Sequence, residues 1–218
     1  MNSPRPATVK AVLFVMFVMA LVCLPFILWG EEFVFPLLEA REHQAGWLVV
    51  LAIMLLGADS VAPVPSTFVI MFLAAKAGTL AGIVGGTVGM SVGVLAASWL
   101  GRAAVGRIAP KFFPDAELAR LRESLQRRLF LTLACWRSVP VMAETTVIVA
   151  AAAGIPAGRI FRATLLPNFL VATIYSVAAD DSLATAATAF LATLVASAAL
   201  WWFFARKEKL QTPTSKLQ

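Results

Sequence analysis

Long apolar runs broken by short polar stretches dominate the chain. Residues 11 to 29 form an uninterrupted run, 79 to 100 a glycine-rich one, and 163 to 178 and 183 to 204 two more. Each is about as long as the roughly 20 residues an α-helix needs to cross some 30 Å of hydrocarbon. The first follows Arg5 and Lys10 like the start of a signal peptide, but it is long enough to span and has no small-x-small site before Glu31, so it is expected to be a retained helix. The last ends in Trp201 and Trp202 before Arg206, Lys207 and Lys209, an aromatic belt followed by basic anchors.

Two further apolar stretches are interrupted. Residues 47 to 77 carry Asp59, Pro63 and Pro65 in the middle, and residues 129 to 157 carry Arg137, Pro140 and Glu144. Proline lacks a backbone donor and clashes with the preceding turn, so a straight helix is not expected through either. The two read alike. DSVAPVPSTFVIMFLAAKAG runs from Asp59 to Gly78 and WRSVPVMAETTVIVAAAAG from Trp136 to Gly154, each with an ionisable residue, a valine-proline core, a polar turn and an apolar half-helix closing at glycine. Each is expected to be a helical hairpin that enters and leaves the bilayer on one side, the pair forming an inverted-topology repeat.

The polar stretches set the orientation. Residues 31 to 45 mix acids with Phe33, Phe35, Leu37 and Leu38, as at a lipid–water boundary, whereas 102 to 128 predict a short amphipathic surface helix starting at Pro114-Asp115. With four crossing helices and two hairpins, the cytoplasmic side holds Arg5, Lys10, seven basic residues of 102 to 128, Arg159, Arg162, Arg206, Lys207, Lys209 and Lys216, fifteen of the 18 lysines and arginines. The outside segments between the apolar elements hold Arg41 alone, with six acids. If the hairpins crossed fully, the basic central loop would move outside, against the tendency of lysine and arginine to stay in the cytoplasm. Both termini are therefore expected to be cytoplasmic.

Composition agrees. Of 218 residues 60% are apolar and 14% charged, too apolar for an ordinary soluble domain and too short for a separate catalytic one. The fold class expected is a single all-α integral membrane domain over residues 1–218. The net charge of +6 is spread between apolar runs rather than gathered on a soluble face, which argues against nucleic acid as a partner. Cys23 and Cys135 lack metal-ligand spacing and are read as packing residues, and His43 has no partner histidine or cysteine, so no metal, cofactor or enzymatic constellation is expected. The glycines at 78, 82, 85, 86, 89 and 93 are read as faces for close helix packing, within one chain or between subunits of an oligomer.

Broken backbone at membrane depth is tolerated only where it is buried in protein or lines a wet cavity, and ionisable side chains there are expensive. The hairpin tips thus predict a cavity holding Asp59, Arg137 and Glu144. A plain salt bridge from Arg137 to Asp59 or Glu144, tying the hairpins together, is the structural alternative. As a site, Arg137 suits a phosphate headgroup through paired guanidinium hydrogen bonds, and half-helix N-termini after Pro65 and Pro140 would add backbone donors. Asp59 and Glu144 are candidate proton carriers, since loss of water favours a neutral carboxyl and a nearby arginine a charged one.

From Asp59 to Tyr175 the chain resembles the DedA family, also called the VTT-domain or SNARE-associated Golgi protein family. The resemblance rests on the acid ahead of the Pro-x-Pro-Ser turn at Pro63 to Ser66, the Gly101-Arg102 pair after a glycine-rich helix, the Arg-x-x-Pro signature of Arg137 to Pro140, and Gly154 followed by Phe161. It implies a core over residues 46–178 with hairpins 47–77 and 129–157 and a cytoplasmic loop 102–128. It further implies movement of a phospholipid or prenyl phosphate such as undecaprenyl phosphate across the inner membrane, with membrane lipids as partners, and in this chain Pro65, Ser66, Thr67, Arg137 and Pro140 are the residues expected at the lipid. The chain departs from the family in having Thr67 after the Pro-Ser turn, where typical members have an acid, and Ala143 where many have a second arginine. A small-ion or solute transporter and a non-catalytic membrane organiser remain as alternatives.

Overall fold

The computed structural model describes residues 45–60, 64, 66–105, 107–108, 114–137, 139 and 142–180, with scattered positions between 188 and 202. The expected crossing helix at 11–29, the boundary segment before residue 45, His43, Cys23, Pro63, Pro65, Pro140 and the basic tail lie outside the described residues. The described residues are helical, with no strand among them. The helices are α1 (Ala45–Ala58), α2 (Ser66–Ala77), α3 (Thr79–Leu100), α4 (Asp115–Arg127), α5 (Leu129–Trp136), α6 (Met142–Ala152) and α7 (Ala157–Val177). A π-helical turn, Gly101–Val105, extends α3. Among the described residues, two helices are long and apolar enough to cross a membrane, Thr79–Ala103 and Ala157–Val177.

Local chemistry sets the boundaries. α1 stops at Asp59, ahead of a stretch in which Pro63 and Pro65 offer no amide hydrogens. Gly78 joins α2 to α3 with φ 94° and ψ 153°, a region closed to residues with a Cβ. α6 ends by returning the Gly154 N–H to the Ala151 carbonyl and the Ile155 N–H to the Ala150 carbonyl, at 3.0 and 3.1 Å, with Gly154 at φ 86°. That paired closure is the Schellman arrangement, and Pro156 then leads into α7. α7 begins at Ala157, six residues before the apolar run that predicted it, because a helix forms wherever backbone bonds close, whatever the polarity of Arg159 and Arg162. α4 is the amphipathic helix expected after Pro114. It carries Asp115 and Glu117 in its first turn and Arg127 in its last, both favourable to the helix dipole, and an exposed Glu123–Arg127 pair at 2.7 Å.

α3 is the axis of the bundle, and its glycines record which helix lies against it. A Cβ added at Gly93 would stand 2.6 Å from the Leu56 carbonyl oxygen, one at Gly89 would meet the Leu56 side chain and the Ile53 backbone, and one at Gly85 would approach Val49. Both residue numbers rise together, so α1 runs parallel to α3. On α2 the order reverses, with Gly82 against Ala74 and Gly86 against Ile70, so α2 runs back. α1 and α2 therefore form a hairpin whose tip reaches the level of Gly93. α7 is antiparallel to α3, since Gly82 faces Ser176, Gly86 faces Ala172 and Ser91 bonds Asn168.

The second hairpin arrives from the other end. Gly101 presses on the Ile148 carbonyl and Ala151, and Arg102 Nη2 donates to the Ile155 carbonyl at 3.2 Å, fixing the base of α6 at the C-terminal end of α3. Two buried clusters follow from this. Leu48, Leu56, Ile70, Leu73, Met90 and Tyr175 pack the first hairpin. Val94, Ala97, Leu133, Val147, Ile148 and Ile160 pack the second. Each half of the described chain thus repeats one order: short helix, charged turn, short helix, positive-φ glycine, long helix.

This packing makes a stability prediction. Gly93→Val forces a branched side chain against the Leu56 carbonyl and should lower stability by about 1–3 kcal/mol, the usual cost of overpacking. Gly46→Ala, which meets nothing within 4 Å, should leave it unchanged. Thermal unfolding of the two variants in detergent measures the difference.

Candidate functional site

The tip of the first hairpin holds Asp59, 8% exposed. Its Oδ1 accepts the Val64 N–H at 2.8 Å. Between Pro63 and Pro65 that amide is the one backbone donor, and the carboxylate pins the turn by accepting from it. Ser60 beside it is also buried, and its hydroxyl has no partner among the described residues.

The tip of the second hairpin holds Arg137, at the C-terminal end of α5, and Glu144, in the first turn of α6. Their side chains are 7% and 18% exposed, with Arg137 Nη1 3.5 Å from Glu144 Oε1. A carboxylate in a first turn also gains from the positive end of the helix dipole. Arg137 Nε is buried without a partner among the described residues. The ion pair therefore closes within one hairpin, across its turn, rather than tying one hairpin to the other.

Asp59, Ser60, Arg137 and Glu144 nevertheless line one cavity, walled by Met90 and Gly93 of α3. The three ionisable residues picked from the sequence are thus brought together. The cavity is about 10 Å³ to a water-sized sphere, room for roughly one water molecule. No phosphate fits in this state, so a headgroup would require the tips to part. One guanidinium and two carboxyls lining one cavity are groups that can hold an anion, exchange a proton or bind water.

The other expected site residues lie differently. Ser66 and Thr67 occupy the first turn of α2, half-buried, and are not among the residues lining this cavity. Pro65 and Pro140 are outside the described residues. A polar seam between α3 and α7 was not foreseen. Asn168, fully buried, donates from Nδ2 to Ser91 Oγ at 3.2 Å, and Ser91 in turn donates to the Thr87 carbonyl at 2.6 Å. The signal was present, since Asn168 is the lone amide side chain in the run 163–178 and follows Pro167.

Searches against protein-family models, curated proteins and solved structures return no match to this chain.

The Arg137–Glu144 pair generates a stability prediction. Removing one partner of a buried ion pair strands the other, at about 3–5 kcal/mol, whereas replacing both with apolar groups is close to neutral. Arg137→Met should therefore lower stability by about 3 kcal/mol, and adding Glu144→Leu should restore at least half of it, in thermal unfolding of the single and double variants.

Proposed function

We propose that this chain is a multi-pass inner-membrane protein resembling the DedA family that moves an anionic lipid, a phospholipid or prenyl phosphate, between leaflets through the space where its hairpin tips meet. In this reading α3, α7 and the apolar runs at 11–29 and 183–204 cross the bilayer, α1–α2 dips in from outside and α5–α6 from the cytoplasm, and α4 lies on the cytoplasmic surface with both termini on that side.

Helix length supports the topology. At 1.5 Å per residue, the 14 residues of α1 and 12 of α2 extend about 21 and 18 Å, and the 8 of α5 and 11 of α6 about 12 and 16 Å, all short of a roughly 30 Å hydrocarbon core. The observation that carries the function is the convergence of Asp59, Arg137 and Glu144 on one cavity, supplied by hairpins that reach the middle of α3 from opposite ends. Arg137 would hold the headgroup, with Ser66 and Thr67 flanking its path once the tips separate. Asp59 and Glu144 would take up and release protons as Arg137 engages and loses its anion. Rocking or gating of one repeat against the other around a fixed site is how inverted-repeat transporters alternate their access.

The small closed cavity favours one rival, passage of protons or a small ion without lipid. Reconstituted liposomes separate the two. Fluorescent-lipid flipping should fall about tenfold or more in Arg137→Ala and in the Asp59→Asn/Glu144→Gln pair, provided the variants stay folded. Ion flux without lipid movement would select the rival, and unchanged flipping in folded variants would overturn the lipid reading.

A further inference from the structure

Four arginines from two distant parts of the chain line a second cleft, outside the buried cavity. It has a volume of about 480 Å³ and is lined on one side by Arg127, Arg128, Phe130 and Leu131, where α4 gives way to α5, and on the other by Arg159 and Arg162 of α7. No carboxylate lies among the described residues lining it. Arg127 is engaged by Glu123 on the α4 surface, and the Arg162 side chain is steadied by its Nε donating to the Gly158 carbonyl at 3.2 Å.

The placement of these cations runs against helix electrostatics. Helix N-termini carry partial positive charge and favour acids, yet α7 opens without an acid and places Arg159 and Arg162 in its first two turns, while α5 opens directly after Arg128. Arg127 is offset by Glu123 and Arg128 has an interaction of its own, so the charge gathered at the cleft is chiefly that of Arg159, Arg162 and two helix N-termini, which an anion would offset. Keeping basic residues on the cytoplasmic side requires only that they be on that side, not that they close around one cleft. The floor of the cleft is apolar, and Phe130 is 45% exposed beside the charges. A phosphate at the arginines with a hydrocarbon chain along Phe130 and Leu131 satisfies both surfaces.

We propose that this cleft is a binding site for an anionic phospholipid of the adjoining leaflet, with Arg128, Arg159 and Arg162 on the phosphate and Phe130 and Leu131 against the acyl chain. It depends on the membrane setting of the chain and stands whether or not the buried cavity moves lipid. A bound lipid here clamps α4–α5 to α7 and steadies the base of the second hairpin.

The test uses the full chain in neutral detergent and reads the thermal unfolding midpoint as phosphatidylglycerol, phosphatidylcholine or inorganic phosphate is added. Phosphatidylglycerol should raise the midpoint in a salt-sensitive way, while the other two do not. Arg159→Gln/Arg162→Gln, and independently Arg127→Gln/Arg128→Gln on the opposite wall, should each raise the half-effective lipid concentration roughly tenfold. Arg120→Gln, an equal charge change on exposed α4 surface outside the cleft, should not. An equal shift with phosphatidylcholine, or with inorganic phosphate alone, overturns the assignment. So does an unchanged response in both double variants, and should those fail to fold, the three-ligand comparison on the unaltered chain still decides.

Discussion

A methyl group at Gly93 would collide with the Leu56 carbonyl, and on this near-contact between the backbones of α1 and α3 the arrangement of the molecule depends. Because Gly85, Gly89 and Gly93 present no side chains, α1 lies directly against the axis helix and parallel to it, with α2 returning along the face of Gly82 and Gly86. That close approach sets how deep the first tip reaches. Asp59, one residue past α1, is carried to the level of Met90 and Gly93. At the other end Gly101 does the same for α6, pressed against the Ile148 carbonyl, so Arg137 and Glu144 reach that level from the opposite direction. The charged cavity follows from two close packings on one helix.

Such a cavity is costly as a structural device. Three ionisable groups are withdrawn from water, and an apolar core of equal volume would usually be at least as stable. The Asp59 carboxylate offsets part of this by satisfying the amide that the flanking prolines leave over, and Glu144 part by facing Arg137 across its own turn. What remains uncompensated is the Arg137 Nε and the Ser60 hydroxyl, both turned inward without partners among the described residues. Unmet hydrogen-bonding capacity beside three ionisable groups, where the two tips meet, is what the proposed transport builds on.

Much of this was legible in the sequence, and the parts that were share a cause. The break at Asp59, Pro63 and Pro65, the glycine stops at 78 and 154 and the amphipathic helix from Asp115 are each decided by chemistry within a few residues. The ionisable residues at depth stood out for the same reason, being alone in apolar surroundings. Relations between distant segments were harder. Arg137 was open to Asp59 or Glu144, and only the fold shows that the pair closes with Glu144. The parallel run of α1 on α3 and the bond from Asn168 to Ser91 depend on register, which periodicity does not encode. Arg159 and Arg162 precede the apolar run that begins at residue 163, yet they lie inside α7, because Pro156 starts the helix before them and polarity does not mark a helix end.

The proposed arrangement requires α1 and α2 to enter and leave on one face of the bilayer. Gly46→Cys and Lys76→Cys, introduced singly into a chain freed of Cys23 and Cys135, mark the two ends of that hairpin at exposed positions. In sealed vesicles of known orientation, a membrane-impermeant maleimide should label both from the outer side and neither from the cytoplasmic side. Labelling of one position from each side would mean that the segment crosses, which would reverse the side of α4 and contradict the opposed-hairpin account.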